Sequence, residues 1–338
     1  MKIRLGTFNL FQFAAPPYAW YTKKEKFTPR QWQEKTTWIK EQIRTMDCDI
    51  IGFQEVFSQD ALEALVKELG FTYFATAEQA KLSSNNPMKY VTTTVALASK
   101  YPIAKLQKVR AHIPSLKTHS FQGHFTFSRL PIKATISLPN AQELLVYVSH
   151  LKSNRLNAFE YAFHKEDTLT YKKELIFPTL GDKHSVALQQ RLCEASSLFF
   201  DIRKSKKPTV LLCDLNDKEY SLTIDALSNH KYHDDKRKES YILEDASKHY
   251  TPKIYNPNPA SKAPTRKSTS YFLGKGNVLD YIFISRHLSK NHQDYISQVS
   301  YYSVLDAHLL ENKDGSLLKS DHAQVVCELT FHESNPHA

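Results

Sequence analysis

The alternation of apolar and polar positions breaks the chain into short runs rich in β-branched and aromatic residues. Such runs at Lys2 to Asn9, Asp49 to Gln54, Thr92 to Ser99, Pro131 to Ser137, Glu143 to Ser149, Thr209 to Cys213, Val278 to Ile284 and Gln324 to Phe331 predict strands. Many are apolar on both faces over part of their length, as strands covered on both sides are. Three longer segments repeat apolar residues at helical spacing: Thr28 to Met46, Gln59 to Leu69 and Ser185 to Arg203. Thr28-Pro29-Arg30-Gln31 offers an N-cap, a proline at the first helical position and a glutamine at the third, and Ser58 precedes Gln59 in the same manner. Within the third segment Val186, Leu188, Leu192, Ala195, Leu198, Phe199 and Ile202 fall close to one face, which predicts an amphipathic helix covering a sheet.

The pattern predicts an α/β protein with helices laid on the outer faces of its sheets. Residues 11–27, 152–183 and 229–275 fit neither period. The last, rich in Pro, Lys, Asn, Ser and Tyr, reads as a long ordered loop or a mobile flap. We expect one domain over residues 1–332 carrying these stretches as insertions, with 333–338 as a C-terminal tail.

Composition excludes several classes. With 41% hydrophobic and 24% charged residues among 338, the chain is neither disordered nor fibrous, and no run of about 18 apolar residues predicts a membrane-spanning helix. Cys48, Cys193, Cys213 and Cys327 are scattered without zinc-like spacing and read as buried free thiols of a reducing compartment. The N-terminus lacks the apolar stretch of a secretory signal, so a cytoplasmic location is expected. Lys and Arg exceed Asp and Glu by 45 to 35, a balance of +10 that concentrates phosphate-bearing partners.

The candidate chemistry sits at strand ends. Asn9 closes the first strand, Gln54-Glu55 the second, His150 follows Ser149, Asp214 and Asn216 follow Cys213, Asp280 opens Asp280-Tyr281-Ile282, and Ser320-Asp321-His322 introduces the last strand. A single polar residue there is commonly a turn former. Six such ends holding carboxylates, imidazoles and carboxamides use a sheet edge as a rigid platform.

In this order Thr7-Phe8-Asn9, Gln54-Glu55, Ser149-His150, Asp214-Leu215-Asn216, Leu279-Asp280-Tyr281 and Ser320-Asp321-His322 resemble the endonuclease/exonuclease/phosphatase (DNase I-like) superfamily, over residues 3 to 322. The resemblance implies a four-layered α/β sandwich, two packed, mostly antiparallel β-sheets flanked by helices, with a divalent-metal site at one edge. It implies a hydrolase that attacks phosphate esters with water. Glu55 suits a ligand of Mg2+, or of Mn2+, because such cations prefer oxygen donors and take only one or two protein carboxylates. Asn9 would support the metal and the nucleophile pocket, and Asp321 would be a second or occasional ligand. His322, oriented by Asp280, and Asp214, assisted by Asn216, are both candidates for the general base. His150 would place a positive donor beside the developing phosphorane charge. The apurinic-site repair branch typically has tyrosine there, so the resemblance points away from a dedicated abasic-site enzyme. Cys213 stands where the family usually has glycine.

Nucleic acid, DNA or RNA, is the first expectation for substrate, from the net charge and from basic clusters at Lys152 to Arg155, Lys204 to Lys207 and Lys236 to Lys238. Lys152, Asn154 and Arg155 adjoin His150 and are the candidate substrate contacts. The alternatives are a phosphatase or phosphodiesterase of small phosphorylated molecules or lipid headgroups, and a non-catalytic binding module. No protein partner is expected.

Overall fold

The computed structural model describes the chain apart from residues 23, 155–160, 234–241, 252–265, 273, 312–316 and 333–338. Two six-stranded sheets form its centre. The first contains strands Lys2–Phe13 (β1), Ile50–Val56 (β2), Tyr73–Thr76 (β3), Thr94–Ser99 (β4), Ser297–Leu305 (β11) and Gln324–Phe331 (β12), in the order β11-β12-β1-β2-β4-β3. The second contains Ile103–Lys108 (β5), Ile132–Ser137 (β6), Glu143–His150 (β7), Thr209–Asp214 (β8), Glu244–Asp245 (β9) and Asp280–Ile284 (β10), in the order β9-β10-β8-β7-β6-β5. Within these two sheets only β1 with β2 and β7 with β8 run parallel among the described residues.

The sheets pack face to face. Ile3, Leu5, Ile50 and Leu97 meet Val146, Val148, Leu212 and Ile282 in one buried cluster. At Gly52 the approach is closest: a Cβ there would lie 2.9 Å from Leu212 Cβ and 3.0 Å from Val148 Cγ1. Helices Pro29–Met46 (α1) and Gln59–Lys67 (α2) cover the outer face of the first sheet through Ile39, Ile43, Leu62 and Val66. Helices Val186–Ser205 (α5) and Leu222–Ser228 (α6), with Leu169–Ile176 (α4) beside them, cover the outer face of the second, while the short helix Ile113–Thr118 (α3) leans on α5. The outcome is the expected four-layered α/β sandwich.

Each of the eight runs read from the pattern is a strand, with ends shifted by up to four residues. The strands missed in the main sheets are β3, β5, β9 and β11, of which β3, β5, β9 and β11 are all edges. An edge strand has one open side, and the exposed Lys105 and Lys108 of β5 disturb the alternation that marks a half-buried strand. The 152–183 stretch contains α4, and 229–275 contains β9, the turn Ala246–His249 and one arm of the hairpin Ser270–Phe272/Lys275–Asn277. The expected flap around Tyr255 to Pro259 lies outside the described residues.

Two local expectations need correction. Thr28 and Gln31 form the complete capping box of α1, but Ser58 caps nothing; its Oγ accepts the Ala15 N–H at 2.8 Å instead. Helix α5 is not one-faced. Val186 is 55% exposed, whereas Gln189, Arg191, Glu194, Ser196 and Ser197 are buried, because α3 and the segments around Ser128 and Lys152 close over the side away from the sheet. All four cysteines are buried and free. Cys213 leaves β8 undisturbed, paired in register with Ser149 and Tyr281.

Candidate active site

Strand register assembles the site. In the second sheet His150 pairs with Asp214 and Asp214 with Asp280, so three catalytic candidates stand side by side in one row. In-register neighbours point to the same face. From the other sheet β1 supplies Asn9, just before its register with β2 shifts, and its Nδ2 donates to Asp214 Oδ2 at 2.9 Å. The remaining Asp214 oxygen accepts the Asn216 N–H at 2.8 Å, and Asn216 itself has a left-handed backbone at φ 49°. Asn216 Nδ2 reaches the Leu151 carbonyl at 3.1 Å.

His322 arrives at the start of β12. Its Nδ1 lies 2.8 Å from Asp280 Oδ2 and 4.0 Å from Asp214 Oδ2. Ser320 holds this approach, donating to the Asn9 carbonyl at 2.7 Å and accepting the His322 N–H at 3.0 Å. Thr269 Oγ1 accepts the N–H groups of Leu279 and Asp280, at 2.9 and 3.1 Å, which fixes the other partner. Burial alone would discharge the imidazole, but Asp280, Asp214 and Asp321 outweigh it and raise the His322 pKa well above the ordinary value. Burial pushes Asp214 up to about 7, with Asp280 adding to the rise and the His322 charge opposing it.

Glu55 owes its aim to irregular backbone. The register of β2 shifts between Phe53 and Val56, and Glu55 takes a left-handed φ of 59°. Such a bulge turns adjacent side chains away from strict alternation. Gln54 therefore stays buried, with Nε2 donating to Thr7 Oγ1 at 2.9 Å, while Glu55 Oε2 accepts the Gln12 N–H at 2.9 Å. Burial and the nearby Asp321 charge raise the Glu55 pKa. Buried Lys35 sits by these carboxylates, its Nζ donating to the Leu317 carbonyl at 2.9 Å; burial lowers it to about 7 against the pull of Glu55 and Asp321.

The donor chemistry fits a divalent cation. Glu55 and Asp321 bring oxygen donors and surplus negative charge, and hard cations favour such a set. Asp214, Asp280 and His322 offer ligand atoms within 4.8 Å of one another, and Asp280 Oδ1 is buried without a hydrogen-bond partner. Asn9 is the weaker candidate ligand, since its Oδ1 already accepts the Phe11 N–H at 3.0 Å.

His150 differs from expectation. It is buried, and burial, Arg129 and His322 all push its pKa well below the ordinary value, so it is a neutral imidazole rather than a positive one. Its Nε2 lies 3.4 Å from Asp214 Oδ2, and its Nδ1 has no hydrogen-bond partner. The positive charge nearby belongs to Arg129, whose Nη1 donates to the Leu151 carbonyl at 3.0 Å and whose field acts on both His150 and Glu55. Sequence reading missed Arg129 because it lies in the irregular lead-in to β6, at no strand end.

The basic segments separate. Lys152 is tied through its backbone, its N–H to Glu194 at 2.8 Å and its carbonyl to Arg191 at 3.2 Å, and Asn154 Oδ1 accepts from Arg191 at 2.5 Å. Arg155 and Lys236 to Lys238 lie outside the described residues. Lys204 to Lys207 precedes the first residue of β8, whereas Asp214 is its last, so this cluster stands about 20 Å away at the opposite end of the sheet. It contributes nothing to the site.

The model of the endonuclease/exonuclease/phosphatase family matches residues 6–322. The chain belongs to this family. The family's members are generally hydrolases acting on phosphate esters. Among solved structures, the human Nocturnin catalytic domain with bound sulfate is similar at 17% identity, over 98% of this chain and 94% of that one, with a TM-score of 0.55. A family protein from Bacteroides vulgatus aligns at 13% identity over 98% and 100%, TM-score 0.57. A humanised D. rerio TDP2 aligns at 11% identity over 97% and 99%, TM-score 0.53. At such identities the likeness is one of fold. No curated protein matches the sequence. No described helix is long and apolar enough to cross a membrane.

Proposed function

We propose that the chain, as one domain over residues 1–332, is a metal-dependent phosphoesterase that cleaves nucleic-acid phosphodiesters by water attack. The observation that carries this reading is the convergence of Asn9 and His322 from the first sheet with Asp214 and Asp280 at the strand ends of the second. A binding module would need no such acid-base set.

Asp214 accepts the proton of the attacking water; two donors, Asn9 and the Asn216 N–H, hold its carboxylate in place. His322, kept charged by Asp280, donates from Nε2 to a phosphate oxygen, which favours phosphate stabilisation over the role of base. Neutral His150 and the Arg129 charge assist on the opposite flank. The phosphorus–oxygen bond of the ester breaks as the bond to the water oxygen forms. Glu55 and Asp321 would hold a magnesium or manganese ion, which supplies neutralisation of phosphate oxygens and of the departing alkoxide.

The test is turnover of DNA, RNA, nucleotides and inositol phosphates with and without magnesium. Metal-dependent cleavage that His322→Ala lowers by about a hundredfold or more supports the assignment. Equal turnover in the variant overturns it, and preference for inositol phosphates or nucleotides would move the substrate class to small molecules.

A further inference from the structure

A cavity of about 1200 Å³ is lined by Phe125, Phe127, Lys81, Lys152, Lys183 and Glu78 among others. It is lined by the segments that carry Arg129 and that follow His150. Ser128 and Leu130 line it on either side of Arg129, and Arg129 Nη1 binds the Leu151 carbonyl, the residue between His150 and the cavity-lining Lys152. The volume exceeds the roughly 300–1,000 Å³ of clefts that hold a drug-sized ligand, so it admits more than one nucleotide unit.

Its walls combine two kinds of group. Phe125 and Phe127 are half-buried, with ring centroids 5.2 Å apart, and the lysines come from three separate segments of chain. Against them stands Glu78, whose carboxylate is already engaged, accepting the Leu130 N–H at 2.6 Å. Aromatic rings and lysines in one lining suit a ligand that alternates flat bases with phosphates. A duplex hides its base faces within the stack; an unpaired strand exposes them.

We propose that this cavity is a subsite for unpaired nucleotides, and hence that the substrate is a single-stranded nucleic acid or a frayed end threading from Arg129 toward Phe125. This rests on the phosphodiesterase reading above. Phe125 and Phe127 stack bases, and Lys81, Lys152 and Lys183 follow the backbone.

Binding tests it apart from catalysis. Metal-free His322→Ala protein is titrated by fluorescence anisotropy into a labelled single strand of about eight nucleotides and into a blunt hairpin duplex. The single strand binds more tightly, and adding Phe125→Ala weakens it roughly fivefold or more. Adding Lys183→Glu, at an exposed residue of the cavity lining, weakens it too and flattens its salt dependence. With His322 intact and magnesium present, Phe125→Ala lowers the ratio of oligonucleotide to bis(4-nitrophenyl) phosphate turnover by a similar factor. Equal affinity for strand and hairpin, indifference to both substitutions, or a mononucleotide competing at the affinity of the whole strand would overturn the proposal. Absence of any phosphodiester turnover in the unmodified protein would instead sink the catalytic reading on which it rests.

Discussion

Asn9 and Asp214 are 205 positions apart in the chain, yet Asn9 Nδ2 donates to Asp214 Oδ2 at 2.9 Å, across the boundary between the two sheets. Both residues are buried. The bond couples the alignment of the sheets to the aim of the proposed base. Asn9→Ala leaves a buried carboxylate short of a donor and should cost about 1–3 kcal/mol of stability by urea unfolding, together with a fall in kcat. Unchanged stability and kcat would show the bond to be incidental.

Asp280 is the largest of the influences that keep His322 charged against its burial. In Asp280→Asn that support is lost, so the imidazole pKa falls and activity that depends on the imidazolium disappears at lower pH than before. The His322 resonances in an NMR titration and the alkaline limb of kcat against pH should both move downward. A limb that stays in place would assign it to another group.

Glu55 combines a left-handed φ of 59° with a carboxylate pushed upward by burial and Asp321. A carboxyl whose folded pKa is raised favours the fold while protonated, and that contribution is lost as pH rises through the folded pKa. Glu55→Gln should therefore raise the metal-free Tm at pH 8, by roughly 2 °C for about 1 kcal/mol. It should also remove the increase in Tm that magnesium confers. Thermal scans with magnesium and with chelator read both.

On the far side of the second sheet, His119 Nε2 lies 2.8 Å from the Tyr232 hydroxyl and His233 Nε2 binds the Ala226 carbonyl at 2.8 Å. Burial lowers both imidazoles to about 4. Between pH 6.5 and 4 the unfolded chain binds protons that the folded chain refuses, so stability is full above pH 6.5 and falls through that window. Unfolding free energies at pH 7.5 and pH 5 should differ by a few kcal/mol, and His119→Leu should flatten the slope. An unaltered slope would place the acid sensitivity elsewhere.

The parts legible in the sequence are those that strand periodicity carries. Asn9, Glu55, His150, Asp214 and His322 each follow or precede an apolar run; register sets His150 beside Asp214, and the contact of the two sheets adds Asn9 and His322. Arg129 was not legible, because only folding, which ties it to the Leu151 carbonyl, brings its charge near His150 and Glu55. Thr269, within an irregular stretch, gives no hint that it will accept two N–H groups beside Asp280. Helix α5 misled for a related reason: its apolar stripe is genuine, but buried Arg191 and Glu194 make sense only once the loops they hold are in place. The neutral His150 follows from burial, which residue order alone does not reveal.

One carboxylate on α5 meets both banks of the cleft. Glu194 Oε1 accepts the Ser128 N–H at 2.6 Å and Oε2 the Lys152 N–H at 2.8 Å. The spacing of the Ser128 and Lys152 segments, both of which line the cavity, is thus gauged by a side chain outside its lining. Trimming it by a methylene would leave the chemistry intact and alter which strands can enter.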